Sequence, residues 1–201
     1  MMRLKHMTLV CAAALVCMTG CNGTADISKF SQSALAVNRD GSITELSVEP
    51  FEAEYYSLED LDAYVREEAA DYNADHPAAS GKEDDLAITV DSVEVSDAVA
   101  RVLLTYESPE TYTDFNYNSL VVCPASQLSE DVLALSCVNA GGEAVGTAAD
   151  IEDLQDYNAV VVSSDVMVAV PGKIAYVSDN VTVTDKAVAD CSGTLAVIIY
   201  S

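Results

Sequence analysis

The 201-residue sequence has no tryptophan, two histidines, and nine lysines and arginines against 33 aspartates and glutamates. So few bases exclude a nucleic-acid surface, because such a surface needs Lys and Arg to displace phosphate counterions. The nine glycines are scattered. Gly141-Gly142 is not followed by Lys-Ser or Lys-Thr, so no phosphate-cradling loop and no nucleotide cofactor is expected. Neither C-x-x-C nor H-E-x-x-H occurs, and Cys123, Cys137 and Cys191 lie far apart, which removes the compact ligand sets that hold zinc. Half of the residues are apolar, so the chain can bury a core despite a net charge of −24.

What is present begins with an address. Arg3 and Lys5 precede an uncharged run from Met7 to Met18, apolar except for Thr8. About 12 residues is too short to cross a hydrocarbon layer of about 30 Å, and fits the apolar region of a secretory leader. The run ends in Met18-Thr19-Gly20-Cys21.

That tetrapeptide resembles the lipobox of bacterial lipoproteins: an apolar residue, two small residues, then the cysteine that defines the family. The resemblance implies diacylglyceryl transfer to the Cys21 thiol, cleavage after Gly20, and an extracytoplasmic protein held to the cell membrane by its acyl chains. Each buried methylene contributes about 0.8 kcal/mol, so two chains anchor stably without a spanning helix. On this reading residues 1–20 are a signal peptide, 21–31 a tether, and 32–201 a single folded domain. From Asn22 to Ser31 the tether is mostly polar and reaches roughly 35 Å at about 3.5 Å per residue. Removing Arg3 and Lys5 leaves the remainder more acidic still, so anionic headgroups repel it.

In that remainder, Ala34 to Val37 and the stretch holding Ile43, Leu46 and Val48 flank Asn38-Arg39-Asp40-Gly41, which predicts a hairpin. Ser57-Leu58-Glu59-Asp60 approximates a capping box. Leu58, Leu61, Val65, Ala69 and Tyr72 then recur at spacings of three and four, predicting an amphipathic helix over about 57–75 that stops at Pro77. Ala78 to Asp85 is expected as a polar loop. Ala87 to Val95 and Val99 to Tyr106 read as strands around a Ser96-Asp97-Ala98 turn, with a slip in alternation after Val90 that suggests a bulge. Glu107 to Ser119 reads as a loop holding Tyr112, Phe115 and Tyr117. Leu120 to Cys123 reads as a strand, and Ala149 to Gln155 as a short helix. Strands follow at 160–162, 167–170, 174–177, 181–183 and 194–200, with Pro171-Gly172 as a turn. The fold class expected is α+β, with a mainly antiparallel sheet, one clear helix and a β-rich C-terminal half. Acid density falls after residue 116, so any division into two subdomains belongs near 116–119.

Catalytic constellations are scarce. His76, before Pro77, is the one histidine outside the leader, and a Cys-His or Ser-His site would have to use it. The alternative is an exposed loop histidine. Cys191 and Ser192, in Asp190-Cys191-Ser192-Gly193, are the nucleophiles by type, but no Gly-x-Ser-x-Gly elbow surrounds them and the segment reads equally as a turn. Outside the leader and Cys21, three cysteines remain, an odd number. Three buried thiols are the first expectation. A Cys123–Cys137 disulfide across a hairpin-like excursion is the alternative. Residues 38–43 echo the middle of a calcium loop, yet Ala36 and Ser47 fall where the first and twelfth ligands belong, so this is a turn. Glu83-Asp84-Asp85 reads as a solvated acidic loop. Metal and cofactor are therefore both expected to be none.

One cluster leans toward binding. Tyr112, Phe115 and Tyr117 stand among Asp114, Asn116 and Asn118, a mixture suited to flat recognition of glycans or peptides. Core or edge filling is the competing role for these rings. The expectation is a non-enzymatic, membrane-anchored module that binds a glycan, a peptide or an envelope protein. Its rival is an extracytoplasmic hydrolase of wall polymers or peptides, which would need His76 beside a nucleophile or a working carboxylate pair.

Overall fold

The computed structural model describes residues 25–82, 84–193 and 195–201. The expected leader 1–20, Cys21, residues 22–24, Glu83 of the acidic segment, and Thr194 lie outside the described residues. The first half runs β1 (Ala34–Val37), β2 (Ile43–Pro50), α1 (Leu58–Asp75), β3 (Ile88–Ser96), β4 (Val99–Tyr106), α2 (Pro109–Asn116) and β5 (Leu120–Pro124). The second runs α3 (Glu130–Leu133), β6 (Ser136–Asn139), β7 (Ala144–Thr147), β8 (Asn158–Val162), β9 (Val166–Ala169), β10 (Ile174–Ser178), β11 (Val181–Asp185), β12 (Val188–Cys191) and β13 (Ala196–Tyr200).

Two sheets result, ordered β11-β12-β9-β1-β2-β4-β3 and β5-β8-β13-β10-β6-β7. All their pairings are antiparallel except β1 with β9. This is the α+β, mainly antiparallel architecture that the sequence implies. Strands that follow residue 119 enter both sheets, so no boundary at 116–119 separates the sheets.

Central strands serve two layers each. Leu35 and Val37 meet Val160, Val162 and Ile198 in a core between the sheets. Their neighbours Ala34 and Ala36 pack behind the first sheet with Ile27, Leu46, Ala169 and Val188. Val161, Val197 and Ile199 pack behind the second sheet with Val132 and Ile151. A strand covered on both faces needs apolar residues at every position, which is why ALAV, NAVVV and AVIIY read as runs and not as alternations. Each fully buried Val or Ile contributes about 1.5–3 kcal/mol.

The local chemistry of several elements matches expectation. Gly41 takes φ +91° in the β1–β2 turn, where the Asp40 carboxylate accepts from both Ser42 N–H and Ser42 Oγ. The calcium-loop echo is thus a hairpin turn. Ser57 Oγ accepts from Asp60 N–H at the start of α1. Ala69 is buried, with Val65 and Tyr72 packed beside it on the central core, whereas Leu58 stays exposed. The β3–β4 register shifts between Val90 and Ser92, at the expected bulge.

Other segments depart from expectation. Residues 107–119 are not a loop: Ser108 Oγ accepts from Thr111 N–H and Pro109 opens the helix α2, the combination of N-cap and first-turn proline that starts helices. The helix expected over 149–155 is two 3-10 turns, Ala148–Asp150 and Leu154–Asp156, separated by Asp153 at φ +54°. The segment expected as a tether, 21–31, overlaps folded structure from residue 25 onward. Asp26 caps a 3-10 turn over Ile27–Lys29, and Ile27 is buried behind the first sheet, so the folded body already includes residues 25–31. The strands β6, β7 and β12 and the helix α3 were not among the expected elements.

Cys123, Cys137 and Cys191 are free thiols. Cys137 and Cys191 are buried, whereas Cys123, expected to be buried with them, is only half-buried. The alternative Cys123–Cys137 disulfide meets a topological obstacle. Cys123 lies on β5 and Cys137 on β6, with β8, β13 and β10 between them. Four strand spacings of about 4.8 Å far exceed the Cα separation of about 5.5 Å that a disulfide spans.

Candidate functional site

The tyrosine-rich segment folds as a helix, and helical periodicity divides its rings between two sides. Tyr112 is 3% exposed and Tyr117 is 95% exposed. Tyr112 sits edge-on to Tyr106 at 5.2 Å, and Phe115 packs against both Tyr106 and Tyr72. Of the three rings expected to form one recognition surface, Tyr112 and Phe115 support the helix from beneath, in the core-filling role. Phe115 is half-buried, and Tyr117 is the fully exposed ring of the three.

Beneath α2 lies a polar cluster that the sequence reading did not select. Tyr106 O–H donates to Glu45 Oε2 at 2.5 Å, and Asn116 Nδ2 donates to Tyr106 Oη at 3.0 Å, Tyr112 O at 3.2 Å and Glu45 Oε2 at 3.4 Å. Burial raises the Glu45 carboxyl above its ordinary range, against the hydrogen bonds from Tyr106 and Asn116. Burial likewise raises the phenols of Tyr106 and Tyr112, with the nearby Glu45 charge adding to it. A detectable signal was the alternation of β2: Glu45 shares a face with Ile43, which is fully buried in the central core.

Above this cluster, α2 and β5 bound an open groove of about 700 Å³, walled by Glu110, Thr113, Asp114 and Tyr117 on the helix side and by residues 119–122 on the strand side. Thr113 Oγ1 accepts from Leu120 N–H at 3.1 Å and donates to Leu120 O at 3.3 Å. Tyr117 adopts φ +52° as the residue that ends α2. That left-handed conformation costs a non-glycine residue about 1–2 kcal/mol.

His76 lies beside Asp114, one of the residues that line the groove. Its ring stacks on Tyr72 at 4.2 Å, and its Nε2 lies 3.8 Å from Asp114 Oδ2. Tyr72 O–H donates to that same oxygen at 3.0 Å. Desolvation first, then the hydrogen bond to Asp114, pushes the Tyr72 phenol up to about 12. The histidine therefore keeps company with a carboxylate and a phenol.

The nucleophiles considered from sequence lie elsewhere. Cys191 is buried in the central core, and Ser192 Oγ donates to Asn180 O at 2.9 Å. Among the described residues His76 makes no hydrogen bond or ion pair to Cys123, Cys137, Cys191 or Ser192, and no three metal-ligating side chains converge. Asp190-Cys191-Ser192-Gly193 closes β12 and turns toward β13, with Gly193 at φ +89°. What the α2–β5 groove offers chemically is an exposed ring, two carboxylates and a strand edge, a set suited to holding a ligand.

No protein-family model matches the chain, and neither a curated protein nor a solved structure matches it.

Proposed function

We propose that this chain is a lipid-anchored, extracytoplasmic lipoprotein whose α+β domain is a non-enzymatic binding module, with the α2–β5 groove as its ligand site. The observation that carries the ligand site is Tyr117: a 95% exposed ring on a left-handed residue, projecting beside Glu110 and Asp114. Backbone strain persists where function uses it, and it clusters at ligand sites. The absence of a nucleophile beside His76 among the described residues weighs toward binding and away from hydrolysis.

The anchor reading rests on Met18-Thr19-Gly20-Cys21 at the end of the apolar run. Cys21 lies outside the described residues, but folded structure from Ala25 onward has a consequence for it. Four residue steps separate the two, a span of at most about 14 Å. A lipidated Cys21 would hold the domain close to the headgroups. Among the described residues no helix is long and apolar enough to cross a membrane.

Two measurements test the proposal. Cys21→Ala should abolish labelling by a fatty-acid probe and release the protein from the membrane fraction; unchanged membrane partition overturns the anchor. A thermal-shift panel of oligosaccharides, wall fragments and peptides should give a shift that Tyr117→Ala removes. A ligand at a hundred times its dissociation constant stabilises by about 2.7 kcal/mol, which moves a melting temperature by several degrees. A ligand whose shift survives Tyr117→Ala places the binding site elsewhere.

A further inference from the structure

We infer that the α2–β5 groove takes an extended polypeptide segment bearing lysine or arginine, added as a strand to the edge of the second sheet. This deepens the binding-module reading and rests on it.

The edge comes first. β5 pairs on one side only, with β8. Ala125 N–H donates to Tyr157 O, on the β8 side. Main-chain groups in an antiparallel ladder point alternately to either side, so Val121 and Cys123 face β8, and Leu120, Val122 and Pro124 face the groove. Thr113 already closes both groups of Leu120. Pro124 has no N–H to give. Val122 is thus left presenting an N–H and a C=O to the groove, and an incoming residue opposite it can exchange a pair of main-chain bonds.

The first sheet has the same device at its β3 edge. Asn73 on α1 donates to Ile88 O at 2.8 Å and accepts from Ile88 N–H at 2.9 Å, closing the first residue of that strand. Beyond it, however, β3 carries Asp91 and Glu94, charges of the kind that keep edges from pairing. β5 reads LVVCP and carries no charge, and Val121 is 45% exposed. This second edge therefore carries no charged guard where it meets the groove.

Charge selects the occupant. Glu110 and Asp114 line the groove, and among the described residues no lysine or arginine does. With 33 acids against nine bases overall, the chain's own field attracts a basic segment and repels an acidic one. A lysine or arginine leaving the added strand can meet Asp114 or Glu110 and lie against the face of Tyr117.

The test is fluorescence anisotropy with the full-length chain in detergent micelles and a short labelled peptide of alternating lysine and valine. Two further peptides are matched to it, one with glutamate for lysine and one N-methylated at alternate amides. The parent peptide should bind, and both others should be weaker by at least about tenfold, the equivalent of about 1.4 kcal/mol. Asp114→Asn with Glu110→Gln should weaken the parent to a similar degree and flatten its salt dependence. Val122→Pro, placed where the N–H faces outward, should match the effect of N-methylation. The N-methylated peptide needs no variant, so the test does not depend on that variant folding.

Equal binding of the N-methylated peptide, or of the glutamate peptide, overturns the inference. Self-association through β5 without peptide binding also overturns it. An oligosaccharide shift that depends on Tyr117, with no peptide binding, overturns strand addition and leaves the binding module standing. Silence from every probe overturns both.

Discussion

Tyr106 and Glu45 meet diagonally across β4 and β2, where the phenol donates to Glu45 Oε2. The register pairs Ile43 with Tyr106 and Glu45 with Leu104, so the two residues are offset by one diagonal step, a distance that long side chains cross. Asn116 completes the cluster from α2. A carboxyl is thereby held under the helix that forms one wall of the groove, with neutral donors as its hydrogen-bond partners and, among the described residues, no ion pair.

Glu45→Gln should make stability less dependent on pH. The folded-state value for Glu45 is raised, so its contribution is full below the ordinary unfolded value of about 4.3 and is lost as pH rises through the folded value. Glutamine cannot ionise. Urea unfolding at about pH 4 and about pH 8 should show wild type losing ground to the variant at the higher pH. A gap between the two proteins that does not change with pH would contradict the raised value.

Thr113→Val should separate stability from binding. Valine keeps the shape but removes the hydroxyl that serves both main-chain groups of Leu120. The expected loss is about 1 kcal/mol, since water from the groove can replace part of what is lost. By the strand-addition reading, the lysine–valine peptide should bind more tightly, because Leu120 now offers a second pair of bonds beside Val122. Denaturant titration and anisotropy on the same sample check both halves.

Tyr117→Gly should stabilise the domain while weakening ligand binding. Glycine adopts the left-handed φ without steric cost, and its gain is partly offset by the greater entropy of the unfolded chain. A net gain of about 0.5 kcal/mol is expected. A melting temperature that falls would show that the exposed ring contributes to the fold.

Cys123, Cys137 and Cys191 should react slowly in the folded protein. Burial pushes Cys137 up to about 11 and Cys191 up to about 12, and it raises Cys123 as well, so little thiolate forms near neutral pH. Cys123, half-buried, should be alkylated first. Mass mapping after timed iodoacetamide exposure gives the order, and recovery of a disulfide-linked peptide joining Cys123 to Cys137 would contradict the topology.

How much of this was legible depended on how local the cause was. The β1–β2 hairpin followed from Asp40-Gly41, α1 from its cap and apolar spacing, and the β3 bulge from a slip in alternation, because each is decided within a few residues. The helix α2 carried an equally local signal, Ser108-Pro109-Glu110, but its rings suggested a surface loop. Asn73, Thr113 and Asn116 gave no sign of their roles, since each acts on a partner that only folding brings near.

By itself the sequence determined the acidity, the apolar supply for a two-sheet core, the α+β class, and the pattern at Cys21 that resembles a lipobox. Those are properties of composition and short-range order, and they are present in the chain before it folds. Which of Tyr112, Phe115 and Tyr117 stays outside, and that β5 ends its sheet beside α2, were decided only by tertiary structure. Strand order depends on pairings between distant residues: β1, from the start of the described chain, lies between β2 and β9. A sheet's edge is whatever those pairings leave unpaired. The groove forms at such an edge, so no stretch of residues read alone contains it.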